Sequence, residues 1–143
     1  MMTLSGDDVR YSIVVPIYNE EAVLSILLRR LDALMDEQLD GPAEAILVDD
    51  GSSDCSSIIL AAKAKADPRY RYIELTRNFG HQIAITAGMD AAAGAAIIVM
   101  DADLQDPPEV IGEMIERWKG GYDIVYARRL SRAGERGFKR WSA

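Results

Sequence analysis

One cysteine and one histidine are all that this 143-residue sequence offers of the usual soft ligands. A single Cys55 excludes an internal disulfide and a Cys-rich zinc site, and it suits a reducing compartment. A single His81 excludes a multi-histidine metal centre. Long apolar runs are missing too. The most apolar stretch, "AAAGAAIIVM", falls well short of the roughly 18 to 20 residues that a membrane helix needs. The first ten residues, "MMTLSGDDVR", lack the basic and apolar segments of a signal peptide, so a cytoplasmic location is expected. Neither GxGxxG nor GxxxxGK[ST] occurs, which counts against dinucleotide and P-loop sites.

What the sequence does contain is an ordinary globular composition, 49% hydrophobic and 27% charged. Its length suits one domain with a sizeable core. The net charge of −7 is unevenly spread. Six Arg or Lys and one Glu fall in residues 124–143, a net +5, leaving −12 for the first 123 residues. An acidic body argues against nucleic acid as a partner. The basic end is compatible with a solvated tail, a phosphate contact or a membrane-surface contact.

Along the chain, β-branched runs alternate with helical periodicity. "YSIVVPIY", "AEAILVDD", "YRYIEL", "AAIIVMD" and "GYDIVYA" are expected strands. Between them lie expected helices over Glu20 to about Gln38, from Ser53 or Asp54 through "IILAAKAKA", over "QIAITAGMDAA", and from Pro107 and Pro108 to Trp118. Asn19 is a candidate N-cap for the first of these. Such alternation predicts an α/β fold, a mostly parallel sheet with helices on both faces. In sheets of this kind ligands bind beyond the carboxyl ends of the strands, where the topology reverses. Polar clusters stand at those ends: "YNEE", "DDGSSD", "TRNFGHQ", "DADLQD" and "ARR".

Asp101 and Asp103 are two residues apart, so both could reach one ion as the chain turns away from its strand. Carboxylate oxygens suit Mg²⁺ or Mn²⁺, which fill their shells with water and substrate phosphate. Asp106 reads as the cap of the Pro-Pro helix. In "VDDGSSD", Ser53 and Asp54 read as helix caps, and one of the two adjacent acids could accept bonds from a ribose hydroxyl or a base N–H. Pro16 ends a strand and Tyr18 follows it, a residue compatible with core or with base stacking. Asn78 and Gly80 read as a turn or helix entry, where a helix N-terminus could face a phosphate, and His81 as a structural hydrogen-bonding residue. Arg128 or Arg129 could supply a fork for a diphosphate.

Taken in order and spacing, "VVPIYNEE", "ILVDDGSSD", "RNFGHQIAITAGMDAAAG", "MDADLQDPPE" and "YDIVYARR" resemble the family 2 inverting glycosyltransferases. The resemblance covers about residues 11 to 140 and is strongest to the polyprenyl-phosphate branch, which includes dolichol-phosphate mannose synthases and bacterial undecaprenyl-phosphate glucosyltransferases. It implies a GT-A (Rossmann-like) fold. It also implies transfer of a sugar from a nucleoside-diphosphate sugar, of the UDP-glucose or GDP-mannose type, to a polyprenyl phosphate. By resemblance, Pro16, Tyr18, Glu20, Asp50 and Asp101 contact the nucleoside, while Asp101, Asp103 and Gln105 hold the divalent ion. Asp103 and Arg129 would carry the catalytic step. Ala127 stands where the family's V-x-G-x-R stretch has glycine.

Members of that family continue beyond the "GERGFKR" region, so the expected organisation is an N-terminal tail (1–10), a nucleotide-sugar-binding domain (11–130) and a basic tail that begins a truncated acceptor half (131–143). The missing part would supply contact with the cytoplasmic face of the inner membrane, and a homo-oligomer is compatible with all of this. The alternative is a non-catalytic nucleotide-sugar-binding fragment. A signalling receiver fits poorly, because there the acid pair follows strand one and a lysine follows strand five.

Overall fold

The computed structural model of the protein describes residues 9–103, 108–121, 124–129 and 136–141. The chain divides into two compact units, Met1–Asp106 and Pro107–Ala143.

The first unit holds four parallel strands: β1 (Tyr11–Ile17), β2 (Ala43–Asp49), β3 (Tyr70–Glu74) and β4 (Ala96–Val99). Helices α1 (Glu21–Ala33), α2 (Ser56–Ala66) and α3 (His81–Ala91) connect them. The sheet order is β3-β2-β1-β4. The chain therefore winds outward from β1 through β2 to β3, then returns past β1 to β4. That reversal places a topological switch point between the carboxyl ends of β1 and β4.

Strands β1 and β2 are buried along their whole length, as expected of central parallel strands covered on both faces. The register pairs Val14 with Ile46 and Pro16 with Val48. Val14, Ile46 and Val48 form a core cluster with Ala84 of α3. Gly88 lets α3 lie directly on this layer, since a Cβ there would overlap Val14. Alternate residues Ile13, Val15, Ala45 and Leu47 face the opposite way and are equally buried. Leu24, Leu27, Leu31 and Leu60 of α1 and α2 supply the buried apolar layer for that side. Helix α1 ends by widening into a π-helical turn over Leu34–Gln38, closed by a bond from the Leu39 amide to the Leu34 carbonyl.

The second unit holds α4 (Pro108–Lys119), β5 (Ile124–Arg129) and β6 (Arg136–Trp141). Here the structure differs from the sequence reading in two respects. Strand β5 was expected in the parallel sheet, but it pairs antiparallel with β6 in a separate two-stranded sheet. Strand β6 also occupies part of the segment read as a basic tail. Its "RGFKRW" lacks the apolar run by which strands are recognised in sequence, and the partner strand, not the pattern, makes it a strand.

Candidate functional site

At the carboxyl ends of the strands, the loops after β1 and β2 hold each other. Asn19, with φ of 52°, accepts bonds at Oδ1 from the amides of Ser53 (2.8 Å) and Asp54 (3.3 Å). Its own amide donates to Ser52 Oγ at 2.9 Å. The first amides of α1 are met from across the gap: Glu20 N–H by Ser56 Oγ at 3.0 Å, and Glu21 N–H by Asp54 Oδ2 at 3.2 Å. Glu21 returns the contact, accepting from the Cys55 amide at 3.2 Å. The two helices thus cap one another, and Asn19, expected to cap α1, serves the turn into α2 instead.

Asp54 also accepts from the Ser56 amide at 2.8 Å, so it does open α2 as the sequence suggests. A small desolvation cost raises its pKa, but the hydrogen bonds from Ser56 and Glu21 outweigh it and hold the carboxyl below its ordinary value. Cys55 is exposed, and a hydrogen bond to Glu21 together with that residue's charge pushes its thiol pKa up, which makes it a poor nucleophile.

The two adjacent acids at the end of β2 are both buried. Asp49 accepts from the Ser52 amide at 3.0 Å and from Tyr72 Oη at 3.4 Å. Asp50 reaches the loop after β3, where its two oxygens accept from the amides of Phe79 (2.8 Å) and Gly80 (3.1 Å).

A cleft of about 460 Å³ opens at the switch point. Pro16, Tyr18 and Glu20 form one wall of it, Asp50 the floor near β2, and Asp101 and Asp103 the wall beyond β4. The fold therefore brings together six of the residues singled out from sequence. Tyr18 is 48% exposed, so its ring is available at the rim. Gln105 and Asp106 lie outside the described residues. Arg129 ends β5 in the second unit, in register opposite Arg136.

The lining also includes Asn78 and Gly80, the helix entry that the sequence offers to a phosphate, and His81, which the sequence suggests is structural. His81 is the first residue of α3, and its Nε2 lies 3.4 Å from Asp101 Oδ1, with both side chains more than half exposed. Its place at the end of the segment that joins the carboxyl end of β3 to α3 was the available signal, since that is the end at which such sheets bind.

Among the described residues no cluster of three or more His, Cys, Asp or Glu side chains converges to enclose an ion. Asp101 and Asp103 offer two hard oxygen ligands at an open cleft. That donor set suits a cation which keeps water and substrate oxygens, as Mg²⁺ and Mn²⁺ do, and does not suit zinc. No helix among the described residues is long and apolar enough to cross a membrane.

Known proteins resemble this chain in both sequence and fold. An uncharacterised glycosyltransferase of Bacillus subtilis (strain 168), YkcC, is 56% identical over 135 residues, which are 94% of this chain and 42% of that protein. A prophage bactoprenol glucosyl transferase homolog of Escherichia coli (strain K12) is 40% identical over 134 residues, 94% of this chain and 44% of its own length. The chain thus spans less than half the length of these relatives. The mannosyltransferase PcManGT from Pyrobaculum calidifontis, solved with GDP-Man and Mn²⁺, superposes with a TM-score of 0.63 at 24% identity, covering 75% of this chain and 31% of that one. The shared fold is the GT-A fold expected from the motifs. Residues 12–143 match the family model, and the chain belongs to glycosyl transferase family 2.

Proposed function

We propose that this chain forms the donor-binding part of an inverting transferase that moves a sugar from a nucleoside-diphosphate sugar to a polyprenyl phosphate at the cytoplasmic membrane face. One observation carries the reading: the switch-point cleft joins a Pro16–Tyr18–Glu20 wall to the Asp101–Asp103 pair. The first offers a ring and polar groups to a nucleoside, and the second offers hard oxygens to a divalent cation. A cleft of this volume also accommodates a sugar nucleotide. The names of the relatives supply the acceptor, since the Escherichia coli protein is a bactoprenol glucosyl transferase homolog.

In this reading Asp101 and Asp103 hold Mg²⁺ or Mn²⁺, with Gln105 added by resemblance. A cation there stabilises the charge that develops on the departing nucleoside diphosphate. Tyr18 and Pro16 fix the nucleoside, and a role for Arg129 toward a phosphate is added by resemblance alone. A lipid phosphate is already anionic at neutral pH, so the site needs no strong protein base. That agrees with a site whose one imidazole is turned toward a carboxylate.

Titration with uridine or guanosine diphosphate, with and without Mn²⁺, tests the proposal. Binding should require the cation, and Asp103→Ala should weaken it by on the order of a hundredfold, the upper end of what loss of a metal-site partner costs. No binding by the wild type, or an Asp103→Ala variant that binds unchanged, would overturn it. Transfer of labelled sugar onto polyprenyl phosphate by the 143-residue chain separates the transferase from a fragment that only binds.

A further inference from the structure

We propose that Asp50 serves this cleft as a positioning residue, its carboxylate clamping the Phe79 and Gly80 amides and so setting His81 against Asp101. The inference rests on the donor-binding reading for what the site does, but its geometry stands apart from it. Asp50 is only 4% exposed, and a buried carboxylate is costly unless it is hydrogen-bonded. Here each oxygen accepts from a different backbone amide, at 2.8 and 3.1 Å. Bonds to an ionised acceptor are the stronger kind. These two amides belong to the last two residues before α3. Consecutive N–H groups converge in this way only when the backbone turns sharply, and Gly80 makes the turn at φ of 107°.

Two further contacts fix the same segment. Gly51, at φ of 73°, lies so close to the Arg77–Asn78 peptide that an added Cβ would overlap it. The turn after β2 therefore abuts the loop after β3 on a second side. At the far end of α3, Gly88 seats the helix on Val14 and Val48, so α3 has little room to slide. With the helix seated and its leading turn clamped, the first helical residue is delivered to the end of β4. There His81 Nε2 comes within 3.4 Å of Asp101 Oδ1. The clamp thus joins the floor of the cleft, where a nucleoside would sit, to the wall that would hold the cation.

The single histidine makes the test direct, because one set of imidazole NMR signals reports His81 alone. Asp50→Asn keeps the shape but replaces one accepting oxygen with a donor. In that variant the His81 signals should move, and the Phe79 and Gly80 amides should lose protection from hydrogen exchange. Mn²⁺ affinity should fall about tenfold, the equivalent of one charge-assisted bond. A variant that loses nucleoside affinity but keeps its His81 signals and Mn²⁺ affinity would show a direct contact and overturn the clamp.

Should Asp50→Asn fail to fold, the wild type still decides. Phe79 and Gly80 amides that exchange as fast as open turn amides would sink the proposal, and slow exchange would support it. A wild-type chain that binds neither Mn²⁺ nor nucleotide overturns the proposed function, whereas the His81 and exchange measurements still judge the clamp.

Discussion

At the amino-terminal edge of the sheet, Asp32, Asp36 and Asp67 surround Arg69, with Lys63 2.9 Å from Asp32. Tyr70 completes the group by donating from Oη to Asp32 at 2.7 Å. At the carboxyl-terminal edge, Asp49 and Asp50 are held by backbone amides, while Asp101 meets an imidazole rather than a guanidinium. Both edges are rich in acid. One neutralises its acids with the chain's own cations and buries much of the result. The other leaves Asp101 half open at a cleft. Charge that the fold can balance internally is structural, and charge it holds out to solvent at a switch point is available to a ligand.

The largest effect on stability is expected from removing the cation that three carboxylates share. Arg69→Ala should destabilise the protein by roughly 1–2 kcal/mol in urea unfolding, more than an isolated surface pair, since Arg69 is 27% exposed and anchors a network. Nucleotide binding at the other edge should not change. The same variant should alter the acid limb of stability. The side-chain bonds from Arg69, outweighing a desolvation cost, hold the Asp67 carboxyl below its ordinary value of 3.8. Its contribution is therefore present above that value and fades as pH falls through the lower folded pKa. In Arg69→Ala that fading should shrink.

A smaller effect lies at alkaline pH, beside Asp49. Burial first, then the charges of Asp49 and Glu74, push the Tyr72 hydroxyl up to about 12 from its ordinary 10.0. A raised pKa favours the neutral phenol in the folded state. The stability it contributes is thus complete below pH 10 and lost as pH rises toward 12. Absorbance titration should show this tyrosine ionising late, and Tyr72→Phe should flatten the alkaline decline. The smallest effect is the sharpest contrast with Arg69. Asp101→Asn should leave unfolding stability within about 0.5 kcal/mol of wild type, as expected of an exposed side chain kept for ligands. Divalent-cation binding should still collapse.

Much of this was legible in the sequence because it depends on local pattern. The four parallel strands and three helices of the first unit follow from β-branched runs, helical spacing and turn residues. The resemblance of five motifs in order also pointed to the family. Less legible was anything that depends on a distant partner. "GYDIVYA" reads as a strand, but no periodicity says whether it extends a parallel sheet or pairs with "RGFKRW". Asn19 has the chemistry of a cap, yet which helix it caps is set by the approach of the Ser53–Asp54 turn. His81 stands in the polar cluster "TRNFGHQ", but its approach to Asp101 comes from a helix start brought beside the end of β4.

By itself, the sequence determined the α/β alternation, the polar clusters at every strand end and the absence of cysteine-rich or multi-histidine chemistry. These follow from composition and from spacing along a chain whose strand and helix periods are fixed. Only the tertiary structure decided how the clusters divide their labour. Asp50 and Asp101 are equally acidic as letters. One is buried between two amides and the other stands open beside a cleft, because parallel packing brings the loop after β3 over the first and leaves the edge strand's end exposed at the second.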